Sequence, residues 1–295
     1  MSAPRSALNI ATHPDDSRPA SVLPLPATVL TPGAAQERMD AVAAEVPVAL
    51  VFNGISHAVM MCTPQNLEAF ALGFALSEGI IDQAADCYGI EVHASSATNA
   101  CNSDPDLPGI AVELEIASRC FARLKEKRRA LTGRTGCGVC GIDSMEALDL
   151  VPETVAVPAW AQAIDLAVLQ RAFAQLPALQ LLNQQAGAIH AAGWATAEGE
   201  LQTVMEDVGR HNALDKLIGH LAQRQQLGQP GLVLMTSRAS YELVRKCARL
   251  QLPVLATISA PTSLAIEVAN RSGIRLFGLC RGERAVAYSR NARAA

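Results

Sequence analysis

The pattern of hydrophobic and polar positions predicts both strands and helices in the first half of this chain. Between residues 45 and 62, two apolar runs flank Asn53-Gly54, which favours a two-residue hairpin turn because both residues tolerate positive φ. Thr63 is the expected N-cap of a helix. Alternation over 110–116 predicts a strand with one solvent-facing side, and 118–131 reads as a basic helix. The helix after Thr63 has its apolar residues at Leu67, Phe70, Ala71 and Phe74.

The second half alternates short apolar runs with amphipathic helices. Strands that recur about every 20 residues, with helices between them, indicate βαβ units and a parallel sheet with right-handed connections. The predicted strands are 233–235, 254–258 and 274–279, and the predicted helices are 212–221, 241–250 and 264–271. The fold class is therefore α/β, with a smaller α+β domain at the N-terminal side.

These patterns divide the chain into four parts. Residues 1–44 are rich in Ala, Pro, Ser and Asp and lack periodicity, so we expect a mobile N-terminal tail. Residues 45–132 form the predicted α+β domain, and 133–160 form a glycine-rich loop and connector. Residues 161–295 form the predicted α/β domain.

Composition limits the possible functions. The 295 residues are 50% hydrophobic, which suffices for a sizeable core, and only 4% aromatic with a net charge of -4. A nucleic-acid partner is therefore not expected. We find neither a secretory signal nor an apolar run long enough for a membrane span, so a cytoplasmic location is expected. The eight cysteines are then expected to be reduced thiols.

Cys137 and Cys140 form a Cys-x-x-Cys pair in the glycine-rich segment TGCGVCG. Such a pair can be a redox couple, half of a zinc site, or a nucleophilic cysteine with a neighbour. A zinc site needs two further ligands, but the chain has no second Cys-x-x-Cys and no His-x3-5-His. Nor does the pair open a helix after a strand, as a thioredoxin motif would. Spacing alone leaves the three alternatives open.

A run of cations precedes the pair and favours a reactive thiol. Nearby positive charges stabilise a thiolate and lower its pKa, and the thiolate is the nucleophilic form. The alternative is that the run is simply a solvated helix face. The cations are Arg119, Arg123, Lys125, Lys127, Arg128, Arg129 and Arg134, and they are opposed only by Glu126.

Polar loops follow the predicted parallel strands. Residues 205–212, 236–238 and 260–263 carry hydroxyls and the side chains of Arg210, His211 and Arg238. Ligands of open α/β sheets bind outside the carboxyl ends of the strands, so a phosphate-bearing ligand is a candidate there. Ordinary helix capping is the alternative for the hydroxyls. His190 is a further candidate polar residue of the site. Arg281 and Arg284 follow the last parallel strand and suit a diphosphate or a guanine-bearing group.

Several long motifs resemble the formate dehydrogenase accessory sulfurtransferases, and together they span about Glu45 to Tyr288. The combination of TGCGVCG with EDVGRHNALDK is highly specific. The remaining matching stretches are AEVPVALVFNGISHAVMMCTP, FALGFALSEGII, TSRASYELVRK and SAPTSLAIEVA.

The resemblance implies a function. Such proteins take sulfur from a cysteine desulfurase as a persulfide on the residue matching Cys137, and the residue matching Cys140 assists. They pass this sulfur to the molybdenum bis(molybdopterin guanine dinucleotide) cofactor of formate dehydrogenase. The resemblance also implies a homodimer and a cytidine-deaminase-like fold for 161–295. The implied cofactor-binding stretch is Leu279, Cys280, Arg281, Gly282, Glu283 and Arg284, although relatives can carry Phe first and Gly before the last Arg.

Two rival functions remain open. The protein can be a chaperone that binds and delivers the cofactor while its cysteines only assist. It can also be a zinc-binding or deaminase-like protein. The Pro-Cys-x-x-Cys and His-x-Glu elements of the deaminases are absent from the sequence, so we expect no metal site.

Overall fold

The computed structural model describes residues 9–10, 19–95, 109–129 and 152–289. Its strands are β1 (Asn9–Ile10), β2 (Val22–Thr31), β3 (Ala34–Ala43), β4 (Val46–Phe52), β5 (Ile55–Cys62), β6 (Cys87–Ser95), β7 (Gly109–Ile116), β8 (His190–Thr196), β9 (Leu201–Asp207), β10 (Gly231–Met235), β11 (Val254–Thr257), β12 (Arg275–Arg281) and β13 (Arg284–Ala287). Its α-helices are α1 (Leu67–Ser77), α2 (Ser118–Arg129), α3 (Ala159–Gln162), α4 (Leu166–Leu179), α5 (Leu181–Ala186), α6 (Arg210–Gln223), α7 (Tyr241–Arg249) and α8 (Ser263–Ser272). None of these helices is long and apolar enough to cross a membrane.

The first sheet has five strands in the order β1-β6-β7-β4-β5. The predicted hairpin is confirmed, since Asn53 (φ 46) and Gly54 (φ 77) form the turn between β4 and β5. Both residues lie in the left-handed region that this kind of turn requires. The predicted strand over 110–116 is also confirmed, and its alternate residues are buried as expected.

The second sheet has six strands in the order β13-β12-β11-β10-β8-β9. Strands β10, β11 and β12 run parallel, which confirms the predicted βαβ units. Strands β8 and β13 add antiparallel neighbours on the two sides. All five residues of β10 are buried, because helices cover both faces of the sheet. Residues of α6, α7 and α8 share a core with one face, and residues of α3 and α4 share a core with the other.

The predicted N-terminal tail over residues 1–44 is wrong for 22–43, which form a long antiparallel hairpin. Strands β2 and β3 pair from Val22↔Ala43 to Thr31↔Ala34, and the turn between them contains Gly33 with φ 82. Pro24 and Pro26 weaken a strand prediction from sequence, but prolines are tolerated in an exposed two-stranded ribbon. The hairpin packs against α5, which lies more than 130 residues further along the chain. Local sequence therefore carries little signal for this contact.

Helices α1 and α6 join the two sheets into one core. A side-chain carbon added at Gly73 would lie 1.8 Å from the carbonyl oxygen of Asp215. One added at Gly219 would lie 1.8 Å from the carbonyl oxygen of Ala69. The glycines thus permit the two backbones to touch. The two predicted domains consequently share a single hydrophobic cluster.

Candidate functional site

Cys137 and Cys140 lie outside the described residues, and so does Arg134. The structure does describe the first turns of the basic helix that precedes them. There Arg119 donates to Asp86 at 2.5 Å, and Arg123 donates to Asp82 at 3.0 Å. The hydrogen bond from Arg119 and the backbone hydrogen bonds lower the pKa of the Asp86 carboxyl against the opposing effect of its burial. These two cations are thus paired within the α+β part, which weakens their predicted effect on the thiol.

The same carboxylates form a cluster with Cys120 that is compact enough to hold a metal ion. Arg119 and Arg123 already occupy Asp86 and Asp82. Burial and the Asp86 charge also raise the pKa of the Cys120 thiol, which disfavours the thiolate that a metal would need. The cluster is therefore best explained as an ion-pair network.

The motif EDVGRHNALDK builds a clamp between the two halves of the molecule. Asp207 is fully buried and forms an ion pair with Lys216, with 2.7 Å between carboxylate oxygen and ammonium nitrogen. The other donors to Asp207 include the backbone N–H of Thr63 at 3.1 Å. Lys216 in turn donates to the carbonyl oxygen of Thr63. The prediction that Thr63 is the N-cap of α1 is therefore wrong. The N-cap is Asn66, which has φ 54.

Two further side chains of this motif complete the clamp. Asn212 donates to the carbonyl oxygen of Met61 at 2.8 Å. Glu206 accepts hydrogen bonds from the backbone N–H groups of Leu182 and Asn183, both at 2.9 Å, and so caps the start of α5. Asp207, Asn212 and Glu206 thus hold distant parts of the fold together.

A second buried ion-pair group connects α1, α6 and α7. Lys246 donates to both carboxylate oxygens of Asp215 at 2.9 Å and lies 2.8 Å from Glu78. Burial alone would raise the pKa of Glu78, but the charges of Lys246 and Arg245 outweigh burial and lower it to about 2. These ion pairs stabilise the contact between α1 and α6, where Gly73 and Gly219 allow the two backbones to approach closely.

The predicted phosphate-binding loops are only partly brought together. His211 lies 3.3 Å from the hydroxyl of Ser240, which is the N-cap of α7. Burial and the neighbouring Arg210 lower the pKa of His211 to about 4, so its ring is neutral near pH 7. Burial and Arg210 also lower the pKa of His190. Arg238 is exposed. A phosphate site at these loops stays a prediction.

A cavity of about 270 Å³ lies between α4 and the end of β12. It includes four of the six predicted cofactor-binding residues, whereas Leu279 and Glu283 are not part of its wall. Most of the lining residues are apolar, and the charged residues of the wall are Arg281 and Arg284. The lining residues are Leu166, Leu169, Gln170, Phe173, Ala174, Ile258, Cys280, Arg281, Gly282 and Arg284.

Backbone irregularity shapes the β12 side of this cavity. Leu279 has φ 53, which is uncommon for a residue other than glycine, and the pairing of β12 with β13 shifts register between Gly278 and Arg281. Such bulges redirect side chains at the rims of sites. Leu279 donates its N–H to the carbonyl oxygen of Ser259 at 3.2 Å. Cys280 is buried, and burial raises the pKa of its thiol to about 12, so Cys280 is not a nucleophile near neutral pH.

Helix α4 supplies half of the residues that line the cavity. It is not among the helices predicted from the sequence. Asp165 caps the helix, since its carboxylate accepts a hydrogen bond from the N–H of Val168 at 3.0 Å. Leu169, Ala172 and Leu176 then recur on the buried face. Both signals are visible in the sequence. Nothing local, however, indicates that this helix covers the ends of β11 and β12.

The comparison with known families settles what kind of protein this is. A model of the FdhD/NarQ family matches residues 43–295. The chain belongs to this family. The FdhD/NarQ relatives include the sulfur carrier protein FdhD of Burkholderia cenocepacia, which is 50% identical over 272 residues, or 92% of this chain and 95% of the relative. The protein of the same name from Chromobacterium violaceum is 53% identical over 257 residues, or 87% and 91% of the two chains.

A solved structure shares the fold. The crystal structure of a candidate formate dehydrogenase accessory protein from Desulfotalea psychrophila matches with a TM-score of 0.65 at 24% sequence identity. The match covers 92% of this chain and 98% of the other. The predicted α/β class is confirmed, although the larger sheet is mixed, because β8, β9 and β13 pair antiparallel beside the parallel strands.

Proposed function

We propose that this FdhD/NarQ family protein is a sulfurtransferase that loads sulfur onto the molybdenum bis(molybdopterin guanine dinucleotide) cofactor destined for formate dehydrogenase. A cysteine desulfurase is its sulfur donor, and the protein acts as a homodimer. Family membership and the sulfur-carrier name of the relatives support the sulfur chemistry. The cavity beside Arg281 and Arg284 supports binding of the cofactor, and it is the structural observation that carries the proposal.

The first step is a thiol exchange at Cys137. Its thiolate attacks the outer sulfur of the donor's cysteine persulfide, and a new S–S bond forms on Cys137. The donor's own S–S bond breaks, and the donor cysteine leaves as a thiolate. Cys137 then carries the sulfur as a persulfide, with Cys140 assisting its later release. The high pKa of Cys280 and its burial leave that residue out of this step.

The cavity suits one guanine nucleotide end of the cofactor. Apolar residues such as Leu169, Phe173 and Ile258 offer the kind of wall that binds a flat heterocycle. Guanidinium groups recognise phosphate oxygens in a bidentate manner, so Arg281 and Arg284 in the wall of the cavity would hold the diphosphate. The site thereby retains the cofactor as a substrate and does not require reaction at the guanine.

Sulfur transfer is tested by the variant Cys137→Ala. Incubation of the wild-type protein with a cysteine desulfurase and cysteine is expected to add sulfur to the 137–140 segment, because the thiolate of Cys137 is the proposed nucleophile. Intact mass followed by peptide mapping measures the added sulfur, which a reductant should remove. Cys137→Ala should accept none. Cys247→Ala is the control, since Cys247 is fully buried and should not affect loading.

A wild-type protein that gains no sulfur on this segment would contradict sulfur transfer. If it still bound the cofactor, it would be a chaperone instead. A deaminase-like zinc protein would show stoichiometric zinc by metal analysis.

Cofactor binding is tested with GDP as the probe. We expect Arg281→Glu combined with Arg284→Glu to weaken GDP binding at least tenfold in calorimetry, because both charge-assisted phosphate contacts become repulsive. The control combines Arg224→Glu with Arg271→Glu, which changes the net charge equally at exposed positions outside the cavity. Equal losses in the two double variants would show a general charge effect and contradict a specific site.

A further inference from the structure

We infer that Gln170 is a positioning residue that holds the turn carrying Arg281 and Arg284 in its phosphate-binding geometry. The inference rests on the proposed function, because it concerns the same cofactor site. It assigns a role to helix α4, which lies outside the predicted cofactor-binding stretch of 279–284. It also separates two tasks at the site, namely phosphate contact and placement of the groups that make it.

Gln170 reaches the tip of the turn directly. Its side-chain amide donates to the carbonyl oxygen of Gly282 at 3.1 Å, and the residue also lines the cavity. Gly282 has φ 54, and a side-chain carbon added there would meet no atom within 4 Å. The tip of the turn is thus open on that side, and the amide of Gln170 supplies a fixed point for it.

Other hydrogen bonds hold the strand side of the turn. The Nε of Arg281 donates to the carbonyl oxygen of Ile258 at 3.0 Å, and Leu279 is bonded to Ser259. These contacts fix the end of β12 against the end of β11. The bond from Gln170 fixes the far end of the turn against α4, so the turn is held from two directions.

The charges beside the turn explain why the hydrogen bond from Gln170 to Gly282 would matter for binding. Arg281 and Arg284 are direct cross-strand partners, so two residues of like charge flank the two-residue turn of Gly282 and Glu283. Like charges at directly opposite positions repel each other, and Glu283, the acidic residue of the turn between them, is exposed to solvent. Without an anchor the turn would relax to separate the guanidinium groups, and binding would have to bring them together again. Holding the turn in advance lowers the ordering cost of binding a diphosphate.

The chemistry of glutamine suits this task. A neutral amide can donate to the Gly282 carbonyl without adding a third positive charge at the rim. A glutamate at the same place would lack the donor and would repel the phosphates. Gln170→Leu removes the donor at similar size and is therefore the informative change.

Helix α4 provides a matched control. Gln175 donates its side-chain amide to the carbonyl oxygen of Gly199 at 2.9 Å, which is the same type of bond to a glycine in a turn. Gln175 does not line the cavity. Gln175 also donates to the carbonyl oxygen of Arg171 and accepts from the N–H of Leu201, so Gln175→Leu loses more hydrogen bonds than Gln170→Leu but should leave ligand binding unchanged.

The experiment compares the affinities of GDP and guanosine for the wild-type protein, Gln170→Leu and Gln175→Leu by calorimetry. Gln170→Leu should weaken GDP binding about five- to tenfold, the effect of about one hydrogen bond. It should leave guanosine binding unchanged, because guanosine has no phosphates to meet the arginines. Gln175→Leu should bind both ligands like the wild type. Gln170→Met serves as a second variant if Gln170→Leu fails to fold.

The remaining outcomes overturn the inference in distinguishable ways. Unchanged GDP affinity in Gln170→Leu would show that the turn needs no anchor. Parallel losses for GDP and guanosine would show that Gln170 shapes the base pocket instead of positioning the arginines. A wild-type protein that binds no GDP would contradict the proposed cofactor site itself, and the inference would fail with it.

Discussion

Replacing Gly219 by alanine is expected to lower the free energy of unfolding by about 3 kcal/mol. The added methyl carbon would lie 1.8 Å from the carbonyl oxygen of Ala69, far inside van der Waals contact. The obstacle is backbone, which no side-chain rotation can remove, so α1 and α6 would have to move apart. Urea unfolding followed by circular dichroism measures the change.

Gly219→Ala has two opposing effects on the free energy of unfolding, and their relative sizes decide whether the variant is less stable. Alanine inside a helix is normally more favourable than glycine by about 1 kcal/mol. The steric overlap at the crossing exceeds this gain because it disrupts the packing that joins the two sheets. Gly73 lies on the facing helix, so Gly73→Ala should act in the same direction.

A second glycine-to-alanine variant separates the effect of the contact between α1 and α6 from the general effect of replacing a glycine. Gly228 is exposed and has no atom within 4 Å of an added side-chain carbon. Gly228→Ala is therefore expected to change stability by less than about 1 kcal/mol. If Gly219→Ala proved as mild as Gly228→Ala, the close approach of the two helices would be wrong.

Replacing Lys216 by methionine is expected to cost about 3 to 5 kcal/mol of stability. The change leaves the carboxylate of Asp207 buried without its cation, since both side chains are fully buried. It also removes the hydrogen bonds that the ammonium group donates to the carbonyl oxygens of Thr63 and Glu206, both at 3.1 Å. Urea unfolding at neutral pH gives the free energy.

The double variant tests the cause of this loss. If the unpaired charge is the main cost, Lys216→Met combined with Asp207→Asn should be less destabilised than the sum of the single variants. Arg271→Met is the control, because its partner Glu267 is exposed and such pairs contribute about 0.5 kcal/mol or less. Simple additivity in the double variant would show that the pair does not act as a unit.

Elements with local signals were predictable from the sequence. The turn at Asn53-Gly54 was predicted because its φ values depend on those two residues alone. The parallel strands β10, β11 and β12 were predicted because apolar runs alternate with amphipathic helices over short distances. The hairpin over 22–43 is not predictable in this way, because its prolines and polar residues resemble those of a mobile segment.

The site was only partly predictable for a related reason. The stretch 279–284 was predicted through a family resemblance, and four of its residues do line a cavity. Arg210, His211 and Arg238 were predicted at one edge because strand ends converge, but they do not line that cavity. Loop composition indicates which residues lie near an edge, while the direction of each side chain depends on its surroundings.

The sequence by itself determined the family, the periodic elements and the candidate pair Cys137 and Cys140, because each depends on residues that lie close together in the chain or on short motifs. Only the tertiary structure decided that Asp207 and Lys216 clamp Thr63, although 144 residues separate Thr63 from Asp207. It alone also placed Gln170 beside Gly282, at a separation of 112 residues. Contacts of this kind form because packing of the whole chain brings distant polar groups together and removes water from them, and no local pattern encodes that pairing.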